Sequence, residues 1–294
     1  MRKIIFLLFL FSEFHFVSAQ PSATVTSERK GLKILSWNIY MLPRFARPSG
    51  KRRRAHAIVN ELKKDNYDII VFQEAFLAAS RRIIRKGLKT EYPHRLGPAN
   101  KHGISYKTSS GVWMLSKIPL KQLGEVDFSL CEGADCWARK GALLAEGEWE
   151  GIPFQILGTH IEAGGPDSIH FSQFNEIEEL LMYYNTDGVP QLICGDLNTR
   201  QTPGEGMYPV MINTFQCMDG EMEPGKFQFT ADGIQNDMNR GGPKNLKVID
   251  YVLYRENGKP YSKIRRCIPE IRNQWHEKHK DLSDHFPVSA EIWW

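Results

Sequence analysis

Side chains that can bind a metal ion or move a proton recur along this chain, each in or at the end of a hydrophobic, strand-like run. They are Asn38, Glu74, His160, Asp196, Asn198, Asp250, Asp284 and His285. An unpaired polar group buried at a strand end costs roughly a few kcal/mol unless something satisfies it. Because all of them lie at a comparable place, the exit of a strand, we expect them to converge on one site. Carboxylates, carboxamides and imidazoles together can hold a hard cation and activate a water that attacks phosphorus.

The strands and helices that would position these side chains can be read from the spacing of apolar residues. Strand-like runs lie at 32–40, 68–75, 111–116, 140–149, 152–161, 190–194, 248–255 and 285–293. Helical spacing predicts helices over 55–62, 77–88 and 171–184, the last entered through Pro166-Asp167. Continuous apolar strands are typical of burial on both faces, so helices should cover a central sheet layer. We predict a single domain over 32–294.

A faint internal repeat supports this organisation. LKILSWNI (32–39) resembles FQILGTHI (154–161), and each precedes a predicted helix and a second apolar run, DIIVFQEA or QLICGDLN. Two similar halves that face each other would bring their strand ends into one cleft.

The composition fits a globular protein. The chain has 294 residues, of which 41% are hydrophobic and 24% charged, and its formal net charge is +4. Such a chain can bury a sizeable core. The mild basic excess neither requires nor excludes nucleic acid or an anionic membrane as a partner.

The N-terminal residues have the pattern of a secretory signal peptide. MRK is followed by the apolar run IIFLLFLF, which is too short to span a bilayer, and Val17-Ser18-Ala19 places small residues before Gln20. We therefore expect a signal peptide at 1–19, a flexible leader at 20–31 and a secreted, periplasmic or extracellular location.

All five cysteines follow this segment, so they would reach an oxidising compartment. Cys131 and Cys136 could close a small loop, and Cys217 and Cys267 could pair. Cys194 lies inside an apolar run, and we expect it to stay reduced and buried. Their spacings do not match those of a zinc site.

The ordered set of polar residues resembles the endonuclease/exonuclease/phosphatase superfamily, over essentially the whole chain from residue 32. Three segments are also similar to secreted neutral sphingomyelinases. These are Asn38–Pro43, Gly111-Val112-Trp113 with Ser116-Lys117, and Cys131–Gly141. The resemblance implies an α/β fold, a DNase-like four-layered α/β/β/α sandwich of two packed mixed β-sheets flanked by helices. It places the site at one end of the sheets.

The chemistry of a phosphodiester sets the need for a metal. Its negative charge repels a nucleophile, and a hard divalent ion with oxygen ligands neutralises that charge. Glu74 and Asn38 are the expected ligands, as the resemblance also implies, and Asp284 would reach the metal or a water bound to it. We expect Mg²⁺, with Mn²⁺ and Co²⁺ as alternatives.

The remaining residues would handle the proton and the phosphoryl group. His285 is the expected general base, because imidazole titrates near neutrality, and Asp250 would orient its ring. Asp196 and Asn198 would position the nucleophile and the phosphoryl oxygens. His160 would donate to the developing negative charge, as its counterpart does in similar enzymes.

Three functions follow as hypotheses. The first is a secreted, metal-dependent phosphodiesterase that hydrolyses sphingomyelin, or a related sphingophospholipid, to ceramide and phosphocholine. The second is a secreted Mg²⁺-dependent nuclease of the same fold, which the near-neutral charge disfavours because a duplex calls for basic loops. The third is a binding module without activity, which the full set of catalytic residues argues against.

Two tryptophans are candidates for contact with a membrane. Secreted sphingomyelinases often carry a hydrophobic hairpin between the Asp250-type strand and the final Ser-Asp-His, whereas this interval is short and polar here, with Trp275 its only tryptophan. Trp275 and Trp137 are the candidate membrane contacts, although either could simply pack in the fold. We expect a monomer that touches the membrane peripherally, with a sphingolipid as its partner.

Overall fold

The computed structural model describes residues 30–43, 50–101 and 107–294. Its strands are β1 Leu32–Asn38, β2 Ile69–Gln73, β3 His94–Leu96, β4 Trp113–Ser116, β5 Lys121–Asp127, β6 Gly141–Trp149, β7 Ile152–His160, β8 Gln191–Asp196, β9 Ala231–Gly233, β10 Gly242–Lys247, β11 Asp250–Arg255, β12 Lys263–Cys267, β13 Arg272–His276, β14 His279–Asp281 and β15 Val288–Trp293. Its α-helices are α1 Lys51–Leu62, α2 Ala78–Gly87, α3 Asp167–Tyr183 and α4 Met207–Phe215, and a 3-10 helix covers Gly133–Trp137. The signal peptide expected at 1–19 and nearly all of the leader lie outside the described residues.

Two large sheets form the centre of the molecule. One has six strands in the order β12-β15-β1-β2-β4-β3, and the other has five in the order β11-β8-β7-β6-β5. Within them β1 and β2 are parallel, β7 and β8 are parallel, and the other neighbours are antiparallel. Both sheets are therefore mixed.

Successive side chains of a strand point to opposite faces of its sheet, and this alternation separates three apolar layers. In β1, Ile34 belongs to the core shared with residues of the other sheet, such as Leu143 of β6. Leu35, the next residue, faces the opposite way and packs in the cluster that contains Ile58 of α1. On the outer face of the second sheet, Phe174 of α3 belongs to a third cluster. The layers are helix, sheet, sheet, helix, which confirms the predicted four-layered sandwich.

The eight predicted strands and three predicted helices all have counterparts in the structure. The pattern missed β3, β5, β9, β10, β12, β13, β14 and α4. These elements are short or rich in polar residues, so they carry little hydrophobic periodicity. Among the described residues, no helix combines the length and apolar character needed to cross a bilayer.

The internal repeat corresponds to two strand–helix–strand units. The first runs β1–α1–β2 and the second β7–α3–β8, and in each the two strands are parallel neighbours. Parallel neighbours have their carboxyl ends at the same edge of a sheet, so each half delivers two strand ends to the same edge.

The sheets approach each other closely at Gly158 of β7. A Cβ atom there would lie 2.8 Å from Cγ1 of Val71 and 2.9 Å from Cε of Met114, both on the facing sheet. A glycine is needed here because there is no room for a side chain between the sheets.

The predicted pairing of the cysteines is confirmed in part. Cys131 and Cys136 form a disulfide, and Cys194 is free and buried. Cys217 and Cys267 are also free, so the pairing considered for them is not formed. Cys217 lies in the cluster beneath α3 and α4, whereas Cys267 ends β12 on the first sheet, and this separation keeps the two thiols from pairing.

Candidate active site

The sheet topology brings the predicted side chains to one edge of the sandwich. Asn38 ends β1 and Glu74 follows β2, while Asp196 ends β8 on the other sheet. Nδ2 of Asn38 lies 3.2 Å from Oε1 of Glu74 and 3.0 Å from Oδ2 of Asp196, and it is within donor reach of both. A single carboxamide thus links the ends of the two sheets.

One detail of the sequence interpretation was wrong. Asp250 is the first residue of β11 rather than lying at the exit of its strand, and Asp284 and His285 precede β15. Both strands run antiparallel to a neighbour whose carboxyl end is at the site, so their starts lie at the same edge. In β11 the register pairs Asp250 directly with Asp196.

Glu74 has a free, buried oxygen. Its Oε2 has no hydrogen-bond partner among the described residues, and the residue adopts a left-handed φ of 52°. Burial, followed by the charge of Asp284, raises the pKa of Glu74 to about 7. Burial also raises the pKa of Asp284, whose charge acts on Glu74. Carboxylates that share a desolvated site in this way are a donor set that a hard cation would satisfy.

A second group of side chains could also hold a metal ion. Asp196, Asp250 and His285 each offer a ligand atom, and these atoms lie within 4.8 Å of one another. The sequence assigned these three residues to catalysis rather than to metal binding. The cleft therefore has two neighbouring sets of donors, joined through Asn38.

His285 is held by a carboxylate. Its Nδ1 lies 2.9 Å from Oδ2 of Asp250 and 3.8 Å from Oδ2 of Asp196. Burial by itself would lower the pKa of His285, but the charges of Asp250 and Asp196 outweigh it and raise the pKa well above 6.5. Burial raises the pKa of Asp250 to about 6. With Nδ1 bonded to Asp250, the other ring nitrogen is left for substrate or water.

His160 stands in a different environment. Its Nε2 lies 3.2 Å from Nζ of Lys140 and 3.6 Å from Oδ2 of Asp196. Burial, aided by the charge of Lys140, lowers the pKa of His160 to about 3, so the ring is neutral at physiological pH. An ammonium can only donate, so Nε2 is the acceptor and Nδ1 carries the proton. Nδ1 is buried without a partner among the described residues.

Asp196 and Asn198 are fixed by the turn after β8. The backbone N–H of Asn198 donates to Oδ1 of Asp196 at 3.1 Å, and its side chain donates to the Ile161 carbonyl at 3.2 Å. Burial would raise the pKa of Asp196, but the charge of His285, aided by the hydrogen bond from Asn38 and the charge of Lys140, outweighs it, so the pKa is lowered. Asp196 is therefore an anion between two imidazoles.

Three basic residues at the site are not indicated by the sequence pattern. Lys140 is 4% exposed and donates to Asp135 at 2.7 Å as well as contacting His160. The sequence feature that could have identified Lys140 is its position directly before an apolar run, at the start of a strand rather than at its end. Arg240 and Lys247 line a cleft of about 290 Å³ together with Asn198, Asp284 and His285. They occur in a polar segment, where no periodicity marks them.

The two candidate tryptophans differ in exposure. Trp137 is 66% exposed and ends the 3-10 helix beside the disulfide. Trp275 is half-buried on β13, packs close to Gly50, and donates from Nε1 to the Asp281 carbonyl at 2.7 Å. The interval expected to lack a hydrophobic hairpin does contain a short hairpin, formed by β13 and β14, and its residues are mostly polar.

The sequence pattern of the endonuclease/exonuclease/phosphatase family matches residues 35–285. The chain belongs to this family. Within it, sphingomyelinase C of Leptospira interrogans is 31% identical, over 90% of this chain and 52% of its own length. Sphingomyelinase C of Listeria ivanovii is 25% identical, over 97% of this chain and 92% of its own length. The chain thus spans about half the length of the Leptospira relatives it matches.

Solved structures share the fold. Sphingomyelinase C from Streptomyces griseocarneus has a TM-score of 0.78 at 23% identity, covering 89% of this chain and 99% of that chain. A beta toxin variant from Staphylococcus aureus with bound magnesium ions gives the same TM-score, identity and coverage. At this identity the likeness establishes the fold alone.

Proposed function

We propose that this protein is a metal-dependent phosphodiesterase that hydrolyses sphingomyelin, or a related sphingophospholipid, to ceramide and phosphocholine. The observation that carries the proposal is the His285–Asp250 pair, 2.9 Å apart, in one cleft with Asp284 and beside the free carboxylate oxygen of Glu74. The names of the relatives, sphingomyelinase C and phospholipase C, support the lipid substrate.

Glu74, Asn38 and Asp284 would hold the metal. The buried, unpartnered Oε2 of Glu74 fits a cation, and oxygen donors favour Mg²⁺, with Mn²⁺ or Co²⁺ as alternatives. When bound, the ion would neutralise charge on the phosphodiester. Asp196, Asp250 and His285 form an alternative donor set, and the two assignments differ in which variants lose metal.

His285 would act as the general base. Asp250 accepts the Nδ1 proton and fixes the ring. Because the pKa of His285 is raised, the ring must first lose its Nε2 proton, and Nε2 can then take a proton from the attacking water. Asp196 and Asn198 would orient that water and the phosphoryl oxygens. His160, neutral and protonated on Nδ1, would donate to the charge that develops in the transition state.

Export and peripheral membrane contact belong to the same proposal. The sequence of 1–19 and the Cys131–Cys136 disulfide support an oxidising destination outside the cytoplasm. Trp137, exposed and two residues from Asp135, is the stronger candidate for contact with the lipid surface.

A nuclease of the same fold is the second candidate. Arg240 and Lys247 line the cleft and would neutralise the phosphate of a nucleic acid as well as that of a lipid. An inactive binding module is disfavoured, because each position assigned to catalysis carries a competent side chain.

Sphingomyelin micelles and supercoiled DNA, assayed side by side with Mg²⁺, separate these functions. We expect ceramide and phosphocholine from the lipid and no nicking of the DNA, with His285→Ala inactive on both. Nicking without lipid hydrolysis would favour the nuclease, and activity on neither would favour the binding module. A head-group survey by mass spectrometry then identifies the preferred sphingolipid.

A further inference from the structure

A strongly basic pocket lies outside the catalytic cleft. It has a volume of about 540 Å³ and is bounded by one face of α2 and by the segment from β3 into residue 101. Five of its lining residues are cationic. They are Arg81, Arg82, Arg85, Arg95 and Lys101. None of its lining residues is acidic, so the pocket concentrates positive charge.

The charge of these cations is largely uncompensated among the residues that the structure describes. Among the described residues, no carboxylate forms an ion pair with Arg82, Arg85, Arg95 or Lys101. Arg81 donates to the carbonyls of Ala75 and Phe76, which are neutral. The charge is therefore available to a ligand.

Helix stability does not account for the arrangement. Arg81 and Arg82 lie in the first half of α2, where the helix dipole disfavours cations, and α2 has no acidic residue in its first turn. Arg81 and Arg85 are four residues apart, and like charges at this spacing destabilise a helix. A ligand that needs these charges would offset that cost.

The base of the pocket is apolar and rigid. Trp113 is 2% exposed, and its ring stacks on Phe72 with centroids 5.5 Å apart. Gly97 has a φ of 83°, and a Cβ there would lie 2.8 Å from the Val112 carbonyl oxygen, so the backbone itself forms this wall. Guanidinium groups above such a base can bind phosphate oxygens in bidentate geometry.

The pocket opens beside the catalytic end of the first sheet. Trp113 pairs with Phe72 in β2, two residues before Glu74, and Ala78 at the start of α2 lines the pocket. Arg81 also ties the Ala75–Phe76 loop that follows Glu74. A ligand here would lie near the catalytic cleft without entering it.

We infer that this pocket is a binding site for a phosphate monoester group, supplied either by a lipid head group or by a free phosphate. The arginine forks would contact the phosphate oxygens, and Leu96 and Pro98 would contact the apolar part of the ligand. The inference does not depend on the reaction catalysed in the cleft.

The test compares two double variants of the same helix region. Arg82→Gln/Arg85→Gln removes two exposed pocket charges, and Lys86→Gln/Lys89→Gln removes two exposed charges that do not line the pocket. Binding of inorganic phosphate is measured by calorimetry, and binding of phosphatidylcholine vesicles with and without phosphatidic acid by sedimentation. Equal thermal melting temperatures check that both variants fold.

The pocket variant should bind roughly tenfold more weakly than the wild type, and the Lys86/Lys89 variant should bind like the wild type. A loss with inorganic phosphate identifies a free phosphate as sufficient, and a loss only with phosphatidic acid vesicles identifies a lipid head group. Equal binding by all three proteins, or equal losses in both variants, would overturn the proposal. Pocket-dependent binding of a DNA duplex, without binding of inorganic phosphate or vesicles, would overturn it as well.

Discussion

The contact between Asp250 and His285 fixes the imidazole before any substrate arrives. Asp250 is fully buried, and the backbone N–H of that residue donates to Oγ1 of Thr230 at 3.2 Å. The peptide carbonyl of His285 accepts from Nε1 of Trp37 at 3.1 Å. Both members of the pair are thus held by neighbouring backbone and side chains, which is what a preorganised base requires.

Asp250→Asn should leave the fold intact and lower kcat by roughly 10²- to 10⁴-fold, because the carboxamide no longer holds and stabilises the imidazolium. KM should change little, since Asp250 is not expected to touch the lipid. Steady-state kinetics with micellar sphingomyelin measure this split. An unchanged kcat would remove Asp250 from the pair.

Glu74→Gln tests which donors hold the metal. The variant keeps the shape of the side chain but loses its charge, so Mg²⁺ affinity should fall by roughly tenfold or more. Titration calorimetry measures it in the absence of substrate, with Asp250→Asn as the matched variant from the other donor set. Weaker binding in Asp250→Asn alone would instead assign the metal to Asp196, Asp250 and His285.

At the scale of single residues, the sequence indicated the polar residues of the site because each of them interrupts or follows an apolar run. It could not indicate Lys140, whose role depends on contacts with Asp135 and His160 that only the packed strands create. It also could not rank the donor sets, because the separation of Glu74 from His285 depends on how the two sheets stack.

Between elements, α1 joins the two loops that carry the site. Arg54 is fully buried and donates to the carbonyls of Ile39 and Leu282 at 2.8 and 2.7 Å. These carbonyls precede Tyr40 and Ser283, and Oγ of Ser283 donates to the Asn38 carbonyl at 2.6 Å. The loop after β1 and the loop before β15 are therefore held in one arrangement.

Arg54→Met should lower the free energy of unfolding by roughly 3 kcal/mol, because buried carbonyls lose their donor. Urea denaturation measures this, and Arg53→Met, an exposed neighbour on α1, is the control. Activity should fall more than stability explains at temperatures where the variant is folded. Equal stability of the two variants would show that Arg54 does not join the loops.

The long elements were predictable and the short ones were not. Strands β1, β2, β7 and β8 are largely apolar and buried, and α3 shows clear helical spacing. The β13–β14 hairpin is formed by residues such as Arg272 and Asp281, which are bound by an ion pair rather than by apolar contacts. The spacing of apolar residues does not predict a hairpin that is held by an ion pair.

At the scale of the whole molecule, the two candidate membrane-contact tryptophans differ in their exposure to solvent. Trp137 projects into solvent, whereas Trp275 packs in the layer of α1 and the first sheet. We predict that contact with a lipid surface, if it occurs as proposed, is made by the disulfide loop through Trp137.

Trp137→Ala should lower binding to sphingomyelin vesicles by roughly tenfold, because an exposed indole loses its insertion into the interface. Trp275→Ala should instead lower the melting temperature, since it removes packing and the bond to Asp281. Vesicle sedimentation and thermal melting distinguish the two. Unchanged vesicle binding in Trp137→Ala would rule out this approach to the membrane.

The central claim is that a water attacks phosphorus with a metal ion bound and His285 as base. Hydrolysis of sphingomyelin in ¹⁸O-water, followed by mass spectrometry of both products, tests it most directly. The account predicts one ¹⁸O atom in phosphocholine and none in ceramide, with turnover lost in His285→Ala and in excess chelator. Label in ceramide, or undiminished hydrolysis in excess chelator, would contradict it.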